Sequence, residues 1–188
     1  MTTSVFLDSD ILFNFLAINP EKKEKYISQG TTGNSQLDRI IKAVMKILEK
    51  EGTLSISNFS VLELICTINR LKSSHKIPQI VKTLSNVCKI FPINDILIEF
   101  AWFFGANYKL HSGDALHVAF CLFNNIDYVF IKDDDFHASF IQIKEDYEKK
   151  GIELLKDFLN QFHSIKKIQE EITKKFENIK TIQIKQIK

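Results

Sequence analysis

The chain is short of the residues that break regular structure and of those that grip polyanions. Its 188 residues hold six glycines and three prolines, which excludes collagen-like and linker-like composition. Arginine is nearly absent, with Arg39 and Arg70 the two among 25 basic residues. Lysine supplies a flexible point charge in place of the rigid arginine fork. With a formal net charge of only +2, a phosphate-rich partner has to be held by local features rather than by overall charge. The three cysteines, Cys66, Cys88 and Cys121, are odd in number and widely spaced, without a CxxC or zinc-type Cys/His pairing. They read as buried free thiols of a reducing compartment. The N-terminal MTTSVFLDSD has no basic n-region, and its apolar run is broken by Asp8 and Asp10. The most apolar later stretch, Ile96 to Phe104, contains Glu99 and is too short to span a bilayer. These absences predict a cytoplasmic protein without a membrane partner. Gly-rich phosphate loops and the serine elbow of the α/β-hydrolases are also missing.

What is abundant is apolar mass. Hydrophobic residues make up 45% of the chain and phenylalanine alone contributes 16, enough to bury one continuous core without disulfides or a structural metal. Ser4 to Leu7, Thr53 to Ser57, a short stretch around Ile90-Phe91, and Tyr128 to Ile131 read as strands. Ile152 to Leu155 reads as a further short one. Between them the apolar spacing turns helical. Ile11, Leu12, Phe15 and Leu16 form one stripe, stopped by Pro20, and Leu37, Ile40, Ile41, Val44 and Leu48 form a stronger one. Glu21 to Asn34 reads as a loop or a frayed helix. Further helices are expected from Asn58 to Leu71, Ile77 to Val87, Asn94 to Tyr108, and from Ser112 through Leu122. Strands alternating with helices predict an α/β fold with a mainly parallel sheet.

The last part of the chain is its basic part, with eight lysines against five acids from Gly151 onward. There Phe158, Phe162, Ile165, Ile168, Ile172, Phe176 and Ile179 step by three or four, which predicts one long amphipathic helix. It reads as a helix packed on the body or on a second subunit, with a basic arm touching RNA phosphates as the alternative.

The acids are informative by position. Asp8 ends the first strand, and Asp133 follows the Tyr128–Ile131 strand. In open α/β sheets the ligand crevice lies outside such carboxyl ends. Glu63 lies within the apolar run Ser60-Val61-Leu62-Glu63-Leu64-Ile65-Cys66, where an unpaired carboxylate would be costly to bury. Asp114 falls in the first turn of a helix. Taken singly, Asp8 could end a strand and Asp114 could favour a helix dipole. Together, four carboxylates in one place could not all ionise unaided, and oxygen ligands of this type suit Mg²⁺ or Mn²⁺.

Val5-Phe6-Leu7-Asp8-Ser9-Asp10-Ile11-Leu12 resembles the opening motif of the PIN-domain nucleases. Ser57 followed by Glu63 resembles their second motif, and Gly113-Asp114-Ala115-Leu116-His117-Val118-Ala119 with Asn125 to Phe130 is similar to their third. Asp133 through Phe136 is similar to their closing motif. The matches come in family order over residues 4–136. The resemblance implies a three-layer α/β/α PIN-like fold with an additional C-terminal helix. In domain terms it gives a nuclease domain over 1–160 and a lysine-rich helical extension over 161–188. It implies an Mg²⁺- or Mn²⁺-dependent endoribonuclease, often a VapC-like toxin, with Asp8, Glu63, Asp114 and Asp133 as metal ligands and catalytic acids. Ser9, Asp10 and Ser57 would support them. RNA is then the substrate, with an antitoxin protein and a homodimer as possible partners. Ile131 departs from the family, which commonly has Thr or Ser there. His117, one turn after Asp114, is expected as a packed or partly exposed side chain. Two other readings are a haloacid dehalogenase-type phosphatase built on Asp8-Ser9-Asp10, and a catalytically inactive PIN-like module that binds RNA or protein.

Overall fold

A computed structural model describes residues 3–16, 20–49, 52–72, 76–162 and 166–187. The first strand, β1 (Ser4–Leu7), is apolar from Val5 onward and fully buried there, as a strand covered on both faces must be. It lies at the centre of a five-stranded sheet with β2 (Thr53–Ser57), β3 (Cys88–Phe91), β4 (Tyr128–Ile131) and β5 (Gln183–Gln186). The order is β3-β2-β1-β4-β5 and every pair is parallel. The chain builds outward from β1 through β2 to β3, then crosses back to place β4 on the other side of β1. That reversal is a topological switch point, the place where open parallel sheets bind ligands. Leu7 pairs with Phe130, and the Asp8 N–H extends the ladder to the Phe130 carbonyl at 3.0 Å. Both strands therefore end on one edge.

Side-chain alternation splits the core in two. Val5, Leu7, Leu54, Ile56 and Phe130 face one helical layer. It contains α1 (Ser9–Leu16), α3 (Ser35–Glu49), α4 (Asn58–Arg70) and α5 (Ile77–Val87), while α2 (Pro20–Gln29) precedes α3. Phe6, Val129 and Ile131 face the other layer. That layer holds α6 (Asp95–Tyr108), α7 (Ser112–Phe123), α8 (Asp134–Lys150), α9 (Lys156–Leu159) and α10 (Lys166–Phe176). The result is the expected three-layer α/β/α arrangement around a parallel sheet. Among the described residues no helix is long and apolar enough to cross a membrane.

Three local expectations differ from the structure. Pro20, expected as the stop of the preceding helical stripe, opens α2, which runs to Gln29 through the segment read as a loop or frayed helix; at a helix start its missing N–H costs nothing. Ile152 to Leu155 is not a strand. Gly151 turns with φ 57° and the chain enters a 3₁₀ segment over Gly151–Leu155. The edge beside β4 is instead filled by β5, near the end of the chain. The apolar stripe after Leu155 is not one helix either: α9, a 3₁₀ turn over Asn160–Phe162, α10 and a second 3₁₀ turn over Glu177–Lys180 share it. Ile165 lies outside the described residues. Spacing by three or four fits α and 3₁₀ turns alike, so it could not reveal the breaks.

Residues 166–187 are thus integral to the core. Ile172, Phe176, Ile179 and Ile182 are fully buried, and the Phe176 ring lies 5.6 Å from Phe100 and 5.0 Å from Tyr147 between centroids. Truncating a fully buried phenylalanine removes its transfer free energy and leaves a cavity. Phe176→Ala should lower the unfolding free energy by about 3–5 kcal/mol in urea titrations; a loss below ~1 kcal/mol would show that the tail is only loosely applied.

Candidate active site

The switch point between β1 and β4 holds the acids. Asp8 directly follows β1, and its carbonyl accepts the Leu12 N–H at 2.9 Å to begin α1. Its Oδ2 faces the Lys132 N–H at 3.4 Å. Asp133 directly precedes α8 and caps it, Oδ1 accepting the Phe136 N–H at 2.7 Å. Asp114 sits in the first turn of α7. Glu63 lies in the second turn of α4, whose start is set by the Ser57 hydroxyl accepting the Ser60 N–H at 3.0 Å. Asp8, Glu63, Asp114 and Asp133 line one cleft of about 630 Å³, together with Ser9 and Asp10. Ser57 does not line it. It is fully buried, and its influence on Glu63 runs through the helix it caps.

Glu63 is held by three neighbours. The Ser9 hydroxyl donates to Oε2 at 2.5 Å, and His117 Nε2 approaches the same oxygen at 3.0 Å. A Cβ added at Gly113 would lie 3.0 Å from Oε1, so the absence of a side chain at 113 lets α7 come this close to the carboxylate. His117 is 2% exposed. Its ring packs among Phe6, Phe59 and Phe136, and its buried Nδ1 has no partner among the described residues. The histidine expected to belong to the packed shell is therefore packed and also bonded to a cleft carboxylate. Asp10 pairs with Lys132 Nζ at 3.6 Å. Ile131, at the usual Thr/Ser position, is fully buried in the core.

Burial and crowding move these carboxyls apart in acidity. Burial pushes Asp114 up to about 6; nearby His117 opposes this, and the charges of Asp8 and Asp133 add to it. Asp8 is also raised, chiefly by burial, with Asp10 adding to the shift and His117 and the Lys132 N–H opposing it. Burial works against the ionised form of Glu63 too, yet the bonds from His117 and Ser9 outweigh it and hold that carboxyl below its ordinary range.

The cleft lining also includes basic residues that the sequence motifs do not point to, among them Arg70, Lys109 and His111. Arg70 was within reach, since Glu63, Thr67 and Arg70 at i, i+4 and i+7 share one face of α4 and all line the cleft. Lys109 and His111 lie in the irregular link from α6 to α7, where no periodicity exists to read.

A family model described as the PIN domain matches residues 38–139. That span is more than half of the chain, and the chain belongs to the PIN-domain family, whose members are generally nucleases. Glu63, Asp114 and Asp133 fall inside the match; Asp8 falls before it and joins the others through the fold. No curated protein and no solved structure matches the chain.

The donor set suits a hard divalent cation by its chemistry: oxygen-only, concentrated in negative charge, and raised in proton affinity at Asp8 and Asp114. It is not a closed cage, because no group of three His, Cys, Asp or Glu among the described residues is arranged to hold an ion. Such an open set fits an ion that keeps several waters and is completed by substrate phosphate.

Asp114 is harder to ionise in the fold than in the unfolded chain. Its favourable contribution is complete below its ordinary value of 3.8 and is lost as the pH rises through about 6. In chelator, Asp114→Asn should therefore melt above the wild type at pH 8, with the gap closing as the pH falls toward 4. Melting curves at a series of pH values check this; a gap independent of pH would contradict it.

Proposed function

We propose that the chain is a divalent-metal-dependent endoribonuclease that hydrolyses RNA phosphodiester bonds. The observation that carries this reading is the meeting of Asp8, Glu63, Asp114 and Asp133 in one cleft at the switch point of a PIN-family sheet. Asp8, Glu63, Asp114 and Asp133 would hold Mg²⁺ or Mn²⁺, which when bound would acidify a water and neutralise charge on the phosphodiester. The chain itself supplies positioning. Ser9 and His117 fix Glu63 through Oε2 alone, leaving Oε1 free of those two bonds. The first turn of α7 and the N-cap of α8 fix Asp114 and Asp133 at the cleft. Lys132 offsets the charge of Asp10, so this extra carboxylate adds less repulsion toward a phosphate.

The order of the four motifs further supports a VapC-like toxin role, with an antitoxin protein and a second copy of the chain as partners. Growth arrest of a bacterial host on induction, relieved by Asp8→Asn, is its expected outcome.

Purified protein should cleave single-stranded RNA with Mg²⁺ or Mn²⁺. Cleavage should stop in EDTA and fall by about two orders of magnitude or more in Asp8→Asn and Asp114→Asn, the range in which lost charge stabilisation shows in rates. Cleavage insensitive to both EDTA and Asp8→Asn would remove the proposal.

A further inference from the structure

We infer that Arg70 and Lys109 form a phosphate-binding pair that holds the RNA strand across the acidic cleft; this rests on the nuclease reading above. An acidic floor repels the phosphodiester it must receive, so a strand needs positive charge close by but not consumed by the acids. Arg70 ends α4 and Lys109 follows α6; both are exposed and both line the same cleft as the four carboxylates. The chain has two arginines, and this is one of them. Among the described residues neither Arg70 nor Lys109 is in an ion pair, whereas Lys132 nearby is tied to Asp10. Both cations are thus available to a phosphate.

The backbone at Lys109 is a second, independent observation. Lys109 terminates α6 in the left-handed region, φ 54° and ψ 27°. Helices commonly end this way, with glycine at the position because a Cβ is strained there. A lysine at this point costs stability that glycine would not, and strained residues held in clefts mark functional positions. Lys72, just past α4 and outside the cleft lining, shares this conformation with φ 53°, so what sets Lys109 apart is that it combines this backbone with a place in the cleft. Arg70 complements it with a fork that matches phosphate oxygens. Two cations from separate elements would also fix the direction of the strand past Asp8 and Asp114.

The test is a fluorescence-anisotropy titration of a labelled single-stranded oligoribonucleotide with the full chain. All variants carry Asp8→Asn and are kept in chelator, so that cleavage plays no part, and KCl is varied up to about 0.3 M. Lys109→Gly and Arg70→Gln should each weaken binding about three- to tenfold, and the double variant should flatten the slope of log affinity against log salt by about 1.4. Lys109→Gly should melt no lower than its parent, since glycine relaxes the backbone at that position. Lys42→Gln, on the exposed side of α3 and away from the cleft, should change neither affinity nor slope. Unchanged affinity and slope in the double variant would overturn the inference, as would an equal effect of Lys42→Gln or an absence of RNA binding by the parent. If cleavage by the chain with Asp8 restored survives EDTA, the metal-dependent reading fails while a positive titration stands. If cleavage is EDTA-sensitive but the double variant binds normally, only the phosphate pair is lost.

Discussion

Because all five strands run the same way, β1 and β4 deliver Asp8 and Asp133 to one edge, and the reversal of strand order beside β1 opens a cleft outside it. The helices that follow have no freedom to carry these acids elsewhere. Asp8 opens α1 with its carbonyl and Asp133 caps α8 with its side chain, so each is fixed by the same bonds that start a helix. Asp114 is then brought up by α7, and the three charges meet where water is partly excluded. Burial, with the charges of Asp8 and Asp133 adding to it, raises the Asp114 carboxyl to about 6. Nothing in the stability of the fold asks for it. The cost makes sense at a site where a positive partner arrives from outside, which is the position of most strongly perturbed carboxyls.

The aromatic layer on one side of the sheet holds this arrangement rigid. His117 sits between the two worlds: its ring packs against Phe6, Phe59 and Phe136, while Nε2 reaches Glu63. Phe6 is the β1 residue two before Asp8, and Phe136 is the residue whose N–H Asp133 caps. A single ring is therefore wedged among elements that carry all four acids: β1, α4, its own α7 and α8. Rotation of any of these elements would have to move the imidazole, and the buried Nδ1, without a partner among the described residues, offers no alternative bond to repay the displacement. Precision in the cleft is obtained from core packing, with Gly113 supplying the close approach of α7 to Glu63.

Much of this was legible from the residues alone, and the part that was not has physical reasons. β1, β2 and β4 were readable because parallel central strands are short apolar runs between polar punctuation, and Asp8 and Asp133 followed from where those runs stop. Glu63 stood out as a charge within an apolar sequence. The edge strand β5 was missed although Thr181-Ile182-Gln183-Ile184-Lys185 alternates, because the helical stripe before it suggested that the same period continued. The 17-residue α8 was overlooked for the opposite reason: Asp133-Asp134-Asp135 reads as a solvated turn, while in the fold the first of these acids is a cap. His117 could not be assigned from spacing, since one turn after Asp114 is compatible with core and with cleft, and it belongs to both. Lys109 carried no signal at all. Its place in the lining of the cleft is what distinguishes it.

The uneven charge of the chain takes a different meaning once the tail is placed. From composition, the lysines after Gly151 are the natural candidates to meet a polyanion. In the fold, several are engaged at home: Lys175 Nζ donates to the Phe123 carbonyl at 2.7 Å, and Lys185 lies over the Tyr128 ring at 4.8 Å from its centroid. The apolar stripe between them completes the core. Tail lysines that close helix ends and cover aromatic faces contribute stability through stems as much as through charge. A chain that is nearly neutral over its first 150 residues then needs only a few well-placed cations to balance its cleft. Long-range attraction would be weak under such a distribution, and selectivity for a strand would come from contacts within a few ångströms of the acids, where screening by salt is least effective.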